Sequence, residues 1–493
     1  MNRDLMLRTL QTTKEWDILV VGGGATGLGI AVDAASRGLS TALVEQSDFA
    51  KATSSRSTKL VHGGVRYLKQ GNVSLVIEAL KERGLLCQNA PHLVSHLPFL
   101  VPSYHWWEGP FYGVGLKVYD MLAGKLGIEK SRHLSRDEVL QQLPTIEPKD
   151  LRGGTIYYDG QFDDARLAIT LAQTAAHHGG CLMNYCSVIR LIKEGPLVKG
   201  VIARDEETQQ ELELHAKVVI NATGIFSDGL RKMDGQTDSA IIEPSQGIHL
   251  VLDRSFLASD TAIMIPHTDD GRVLFFVPWH RHVLVGTTDT PVEKAVLEPK
   301  PMEQEIEFLL THAKRYLTKH PARSDILSVF AGLRPLVRAG HDAKTAALSR
   351  DHVILVSDSG LITIAGGKWT TYRKMAEDAV NKAILVGHLK ETPCITENLP
   401  LHDPGPIGAG EAALHPRLAI TAAHIAVAVH SEMARTLEDV LARRTRALFL
   451  EAKASIEVAP IVAQLLAQER KQTTDWAKAE ITKFLNIAKN YCA

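Results

Sequence analysis

The rhythm of apolar and polar positions changes several times along the chain. Residues 18–21 are an unbroken apolar run ending in glycines, Ala31, Ala34, Ala35 and Gly38 recur at helical spacing, and residues 41–44 form a second apolar run closed by Glu45. Short apolar runs bounded by turn residues read as buried strands, so this stretch predicts strand, glycine turn, helix and strand, a βαβ unit. Residues 217–220 repeat the strand and run into Asn221-Ala222-Thr223-Gly224. Residues 353–356 and 361–364 lead into Gly366-Gly367 and a predicted helix from 370 to about 384. Between them, 236–330 alternates apolar and polar positions, as at 249–252, 272–278 and 282–286, and predicts an antiparallel sheet. Pro393, Pro400, Pro404 and Pro406 mark 391–408 as a linker. Beyond it, 409–493 is rich in Ala, Leu, Glu, Lys and Arg at helical spacing and predicts a small helical domain.

Composition narrows the class. At roughly 150 residues per domain, 493 residues suit two or three domains. With 45% hydrophobic and 23% charged residues the chain can bury a sizeable core, which excludes wholesale disorder. A formal net charge of −1 leaves no basic footprint for a dedicated nucleic-acid binder. Cys87, Cys181, Cys186, Cys394 and Cys492 show no C-x-x-C spacing, and the histidines contain no H-E-x-x-H run. Reduced thiols and no metal are therefore expected. Residues 1–16 carry charges throughout, without the apolar stretch of a signal peptide. No run of about 18 uncharged apolar residues predicts a bilayer-spanning helix. Residues 98–128 cluster Trp106, Trp107, Phe111, Tyr112 and Tyr119 near Lys117 and Lys125. Two readings stay open for them, an interfacial anchor or buried aromatics of a cap domain.

Gly22-x-Gly24-x-x-Gly27 follows a strand and opens a helix, where a dinucleotide pyrophosphate needs a tight turn, a bare backbone and close helix packing. Glu45 follows Gly24 by 21 residues, the spacing of a carboxylate for a ribose diol, and disfavours a 2′-phosphate. The second strand and Ala-Thr-Gly turn, reaching Gly224, give the pattern of two-dinucleotide flavoproteins, so FAD is expected rather than NAD. Gly366-Gly367 before a helix would stabilise an anionic reduced flavin ring. Residues 52–68 are dense with hydroxyls at Thr53, Ser54, Ser55, Ser57 and Thr58, which suit a pyrophosphate and a ribityl chain. His62-Gly63-Gly64 lets the backbone pass close to a planar ring; an ordinary polar loop is the other account.

The motifs V-V-G-G-G-A-T-G-L-G (20–29), S-S-R-S-T-K-L-V-H-G-G-V-R-Y-L (54–68), F-D-D-A-R-L (162–167), N-A-T-G (221–224), G-T-T-D (286–289), A-G-L-R-P-L (331–336) and G-G-K-W-T-T-Y-R-K-M-A (366–376) occur in this order. On them the chain resembles the FAD-dependent glycerol-3-phosphate dehydrogenase family from residue 17 to about 390, and E-D-V-L-A-R-R-T-R at 438–446 resembles the family's helical domain. The expected fold is α/β. A Rossmann-type FAD-binding domain takes 17–90, 150–235 and 331–390, and an antiparallel-sheet cap domain for substrate takes 91–149 and 236–330. The 391–408 linker and the helical domain at 409–493 follow.

The resemblance implies oxidation of sn-glycerol 3-phosphate at C2 to dihydroxyacetone phosphate, with hydride passing to flavin N5 and electrons to a membrane quinone. It places the chain peripherally on the inner face of the cytoplasmic membrane and leaves a homodimer open. An oxidase of the same fold releasing hydrogen peroxide is the nearest alternative, although the insertion usual in that branch is not seen. A flavin-dependent amine or amino-acid oxidase and a non-catalytic flavoprotein are more distant ones. Arg66, Arg334, Arg350 and Lys368 are the expected cations for the phosphate, with Arg334 also at the reacting centre. His249 matches the family's proposed proton acceptor, with His62 in reserve; a buried structural histidine is the competing account. Lys368 also suits the flavin. Thr370 is expected beside the cofactor and Thr371 beside the substrate, unless both only cap the helix. With them, Gly22, Gly24, Gly27, Glu45, Thr53, Ser54, Ser55, Lys59, His62, Gly63, Gly224 and Gly367 make up the expected cofactor set.

Overall fold

Two sheets organise the chain in a computed structural model that describes residues 1–65, 72–236, 240–269, 271–338 and 352–493. The first runs His352–Val356, Ile362–Gly366, Glu211–Asn221, Trp16–Val21, Thr41–Val44 and Cys181–Met183. Its central pairings are parallel, and only the edge pair 352–366 on this path is antiparallel. Strands covered on both faces need apolar residues at every position, which is why residues 18–21 and 41–44 show no alternation. Helices Ala25–Ser36, Asp164–His177 and Tyr372–Val386 cover one face. Gly29 sets how near two of them come, because a Cβ there would lie 2.9 Å from the Tyr372 ring. The other face carries the antiparallel strands Cys186–Glu194 and Leu197–Asp205 and an N-terminal helix, Arg3–Thr12. Arg3 on that helix is buried and pairs with Asp205 at 2.7 Å.

The second sheet follows the order Thr290–Pro291, Ile242–Asp253, His282–Gly286, Leu274–Trp279, Ala262–Ile265, Val94–Ser103, Gly153–Phe162 and Leu60–Val61. Ile326–Val337 adds to Ile242–Asp253, and Arg132–Ser135 to Gly153–Phe162. All these pairings are antiparallel except that of Ala262–Ile265 with Val94–Ser103. Helix Glu303–Tyr316 lays Ile306, Leu309, Leu310 and Ala313 on one face of this sheet, so the 236–330 segment is not all strand.

Strand pairing also moves two domain limits. Gly153–Phe162 and part of Ile326–Val337, expected in the FAD-binding domain, belong to the second sheet. Partner choice between strands is non-local, and a local apolar pattern does not encode it. Residues 391–408, expected as a linker, lie as a strap on the first sheet's helices. Leu401 N–H donates to Asn89 O at 2.8 Å, the Asn89 amide donates to Thr396 O at 3.1 Å, and Thr396 Oγ1 donates to Asp33 at 3.3 Å.

Helices Ala422–His430, Ala452–Glu469 and Thr474–Ala488 form the core of the C-terminal bundle. A buried charge cluster joins it to the nucleotide side. Asp48 accepts from Arg443 Nε at 2.6 Å and from both terminal nitrogens of Arg444, at 2.7 and 2.8 Å. Lys51 pairs with Glu438 at 2.5 Å and Arg446 with Asp163 at 2.5 Å. The two guanidiniums hold the Asp48 carboxyl well below the usual carboxylate range against the cost of burial. Removing one partner of such a cluster strands buried charge, at a cost of about 3–5 kcal/mol. Asp48→Ala should therefore lower the stability of the flavin-loaded protein by about that amount in denaturant unfolding. A loss below about 1 kcal/mol would mean that the cluster breaks even and apolar packing alone holds the bundle.

Candidate active site

Where Trp16–Val21 and Glu211–Asn221 end, a cleft of about 330 Å³ opens between the 22–27 turn, the 45–54 segment, the 222–226 turn and the 364–369 turn. Gly22 holds φ +112°, and a Cβ there would lie 2.6 Å from Ala222 O; a Cβ at Gly27 would run into Gly22 O. These two glycines shape the turn, whereas Gly24 has ordinary φ and lines the cleft. The helix that starts at Ala25 has no side-chain cap from Gly24; Ser54 Oγ accepts from Ala25 N–H at 2.9 Å. Glu45 accepts from Gly23 N–H at 2.6 Å and Ser47 N–H at 2.8 Å while lining the cleft, and burial pushes its carboxyl up. Gly224 and Gly367 both lie on the cleft wall with positive φ, at +58° and +78°. A bare backbone turn under a helix N-terminus, with a carboxylate beside it, fits the pyrophosphate and ribose of FAD.

A second cavity, of about 230 Å³, adjoins this cleft and shares Thr53, Gly366, Gly367, Lys368 and Trp369 with it. Its other walls include Thr58, His62, His249, Phe275, Thr287, Arg334 and Thr370. His249 stands on Ile242–Asp253 opposite Gly286, and the pairing requires that glycine, since a Cβ there would collide with the imidazole. The ring stacks on Phe330 with centroids 5.0 Å apart, and Nε2 lies 2.9 Å from Thr58 Oγ1, while Nδ1 is buried without a partner. Burial, reinforced by the charges of Lys59 and Arg334, drives its pKa well below the ordinary imidazole value. The ring is thus biased to its neutral form, and its Nε2 is held by one hydroxyl. Arg334 donates to Asp289 at 3.2 Å, to Thr287 Oγ1 at 3.0 Å and to Thr288 O at 2.8 Å. Gly247 supplies the room, because a Cβ there would meet the guanidinium.

Most residues expected at the site meet here. Gly22, Gly24, Glu45, Thr53, Ser54, Gly224, Gly367 and Lys368 line the cleft, and His62, His249, Arg334, Lys368 and Thr370 line the second cavity. Four do not. Lys59 points away into a buried pair with Asp164 at 2.7 Å, and its ammonium also donates to Ser55 O. Ser55 is itself buried, outside both walls. Gly63 N–H donates to the Tyr119 hydroxyl at 2.8 Å, and this glycine packs helix on sheet. Thr371 is buried at the start of Tyr372–Val386, with its hydroxyl on Lys368 O. Arg66 and Arg350 lie outside the described residues. Residues that local reading missed are Thr287, Asp289 and Trp369, whose Nε1 donates to Ser54 O at 2.9 Å. Each sits inside a quoted motif, and that was the signal available. Among the described residues no group of His, Cys, Asp and Glu has the arrangement of a metal site.

Residues 17–373 match the family model for FAD dependent oxidoreductases, and 394–480 match that for the C-terminal domain of alpha-glycerophosphate oxidase. The mitochondrial glycerol-3-phosphate dehydrogenase of Homo sapiens is 46% identical over 413 residues, covering 81% of this chain and 57% of the human protein. That of Mesocricetus auratus is 41% identical over 545 residues, covering 98% of this chain and 75% of the relative. The chain thus spans little over half the length of the human relative. Among solved structures, the glycerol-3-phosphate dehydrogenase from Bacillus halodurans complexed with FAD superposes with TM-score 0.80 at 29% identity, covering 100% of this chain and 98% of that one. An L-alpha-glycerophosphate oxidase from Mycoplasma pneumoniae, at 18% identity and TM-score 0.61, shares the fold. With the family model matching 17–373 and relatives at 41% and 46% identity, the chain belongs to the FAD-dependent oxidoreductases, in the branch of the glycerol-3-phosphate dehydrogenases.

Proposed function

We propose that this chain oxidises sn-glycerol 3-phosphate to dihydroxyacetone phosphate and passes the electrons to a membrane quinone, lying peripherally on the bilayer. The observation that carries the reading is the second cavity. It adjoins the dinucleotide cleft, and a neutral buried imidazole and the cationic side chains of Arg56, Arg334 and Lys368 line it. FAD supplies the hydride acceptor when bound, in the cleft lined by Gly24, Glu45, Ser54 and Gly367.

The remaining chemistry belongs to side chains. As the C2–H bond breaks, the C2 hydroxyl must lose its proton, and His249 is the base present. Burial and two nearby cations disfavour the imidazolium, so the ring hands the proton on instead of storing it. Thr58, on Nε2, is the route by which a proton reaches or leaves the ring. Arg334 and Lys368 would face the phosphate dianion, with Arg334 aimed by Asp289 and the Thr287-Thr288 backbone. Phe275 and Trp369 supply apolar wall that thins water around the reacting carbon.

Anaerobic addition of sn-glycerol 3-phosphate should bleach the flavin-loaded protein. No bleaching, with bleaching by an amine or amino acid instead, would overturn the reading. Hydrogen peroxide released in stoichiometric amounts in air would replace the quinone with oxygen as acceptor.

His249→Ala should slow flavin reduction by about 10²- to 10⁴-fold while substrate still binds. In the parent protein a base with a depressed pKa stays neutral as the pH falls through 6.5, so the acid limb of the reduction rate should lie below 6.5. A limb at or above that value, or a variant within a few-fold of the parent, would give the proton to another group.

Arg334→Met should weaken capture of sn-glycerol 3-phosphate by roughly 10- to 1000-fold, since charge-assisted hydrogen bonds contribute about 1.5–3 kcal/mol each. The slow reaction with glycerol, which lacks the dianion, should barely change in kcat/KM. Arg334→Lys should recover part of the loss, as a point charge lacks the planar fork. Equal losses on both substrates would place Arg334 at the reacting carbon.

A further inference from the structure

The strand Ile326–Val337, which carries Arg334, pairs only with Ile242–Asp253 among the described residues. Its other edge needs partners for backbone groups that no neighbouring strand takes up. Two side chains of the 53–56 turn serve that edge. Thr53 Oγ1 donates to Leu333 O at 2.6 Å, and Arg56 Nη1 donates to Ala331 O at 2.8 Å. Gly332 lies between these carbonyls and lets the turn close in, since a Cβ there would lie 2.8 Å from Arg56 Cβ. The backbone just before Arg334 is thus held by a hydroxyl and a guanidinium in the way a strand would hold it.

Arg56 is in turn held from the C-terminal bundle. It is buried, and its Nη2 donates to Glu298 Oε2 at 2.7 Å. Tyr491, in the Lys489–Tyr491 turn of the bundle, donates its hydroxyl to Glu298 Oε1 at 2.8 Å. Burial pushes this phenol well above its ordinary pKa, so the hydroxyl keeps its proton and acts as a donor. Lys51 stands 3.7 Å from Glu298 but is engaged by Glu438 at 2.5 Å. The Glu298 carboxylate therefore gives one oxygen to Arg56 and the other to Tyr491. A carboxylate engaged at both oxygens keeps one orientation; released at one of them it can turn, and the guanidinium paired with it turns too.

The Tyr491 ring has a separate set of contacts. It meets Phe449 with centroids 5.4 Å apart, Phe449 meets Phe330 at 4.8 Å, and Phe330 carries the His249 ring at 5.0 Å. Hydroxyl and ring thus lead to different ends of the substrate cavity. The hydroxyl runs through Glu298 and Arg56 to the Arg334 strand, and the ring runs through two phenylalanines to the imidazole. Removing the hydroxyl and keeping the ring separates the two.

We propose that Tyr491 is a positioning residue for the phosphate end of the substrate cavity, its hydroxyl fixing Glu298 so that Arg56 holds the strand that presents Arg334. This rests on the reading that Arg334 faces the phosphate. The test is Tyr491→Phe in the flavin-loaded protein, with anaerobic flavin reduction followed against the concentration of sn-glycerol 3-phosphate. The half-saturating concentration should rise by roughly 2- to 30-fold. The limiting rate per bound flavin should match the parent's, because His249 keeps its ring contacts. A purely structural role would lower the yield of loaded protein and leave both constants unchanged. The double variant with Arg334→Met should bind no more weakly than Arg334→Met, since the hydroxyl acts through that guanidinium. Should Tyr491→Phe fail to load flavin, Glu298→Gln takes its place, with the same expected split. An unchanged half-saturation, a limiting rate that falls in its stead, or losses that add in the double variant would overturn the proposal. Calorimetric titration with inorganic phosphate reads the same subsite without turnover, so it decides the proposal even if the substrate fails to bleach the parent and the proposed reaction falls. Phosphate bound more weakly by Arg334→Met but equally by Tyr491→Phe and the parent would overturn the role of Tyr491 while the reading of Arg334 stands. Phosphate bound equally by Arg334→Met and the parent would remove both.

Discussion

The structure depends on one buried ammonium. Lys59, in the left-handed region at φ +63°, places Nζ 2.7 Å from Ser55 O and 2.7–2.8 Å from the two oxygens of Asp164. The rings of Trp279, Phe330 and Phe449 stand 5.2, 5.3 and 5.4 Å away. Asp164 opens a helix on the first sheet, Trp279 and Phe330 belong to the second sheet, and Phe449 belongs to the C-terminal bundle. A buried ion is tolerable only when its partners are well placed, so the three units are obliged to meet at this point. The same charge also acts on chemistry, because Phe330 carries the His249 imidazole and the Lys59 ammonium helps to keep that ring neutral. Assembly of the fold and the neutral state of the His249 ring thus share one cation.

Legibility in the sequence followed locality. The 17–45 unit is readable because strand, glycine turn, helix and strand follow one another directly. Gly27 packs on the turn itself, whereas the backbone that closes in on Gly22 is that of the distant Ala222. Helix Tyr372–Val386 and the C-terminal bundle were readable for the same reason. Lys59 and Ser55 were misplaced because a lysine among hydroxyls looks the same whether it faces a phosphate or a buried aspartate 105 residues later. The strap at 391–408 shows the proline content of a linker, but its docking on Asn89 and Asp33 is a long-range event. The aromatic cluster near residue 106 held two readings, and the fold buries Tyr119 while leaving Trp106 exposed.

The G-T-T-D motif shows what local reading lacks. Gly286 leaves room for the His249 ring, Thr287 and Thr288 accept from Arg334, and Asp289 pairs with it. Four consecutive residues therefore set both the His249 ring and the Arg334 guanidinium in place, although none of them was among the expected site residues. Ser245 also donates to Asp289, so the carboxylate is shared and fixed before substrate arrives. Such preorganisation lowers the reorganisation needed at the moment of reaction.

The 45–54 segment has two sides. Glu45, Lys51, Thr53 and Ser54 line the dinucleotide cleft, while Asp48 and Lys51 grip Arg443, Arg444 and Glu438 of the C-terminal bundle. A segment ordered by either neighbour is already ordered for the other, so dinucleotide and bundle are thermodynamically linked. Binding that stabilises one must stabilise the other by the same coupling free energy. Among the described residues the C-terminal bundle contributes none to the walls of the dinucleotide cleft, yet its Arg443, Arg444 and Glu438 hold the segment that does.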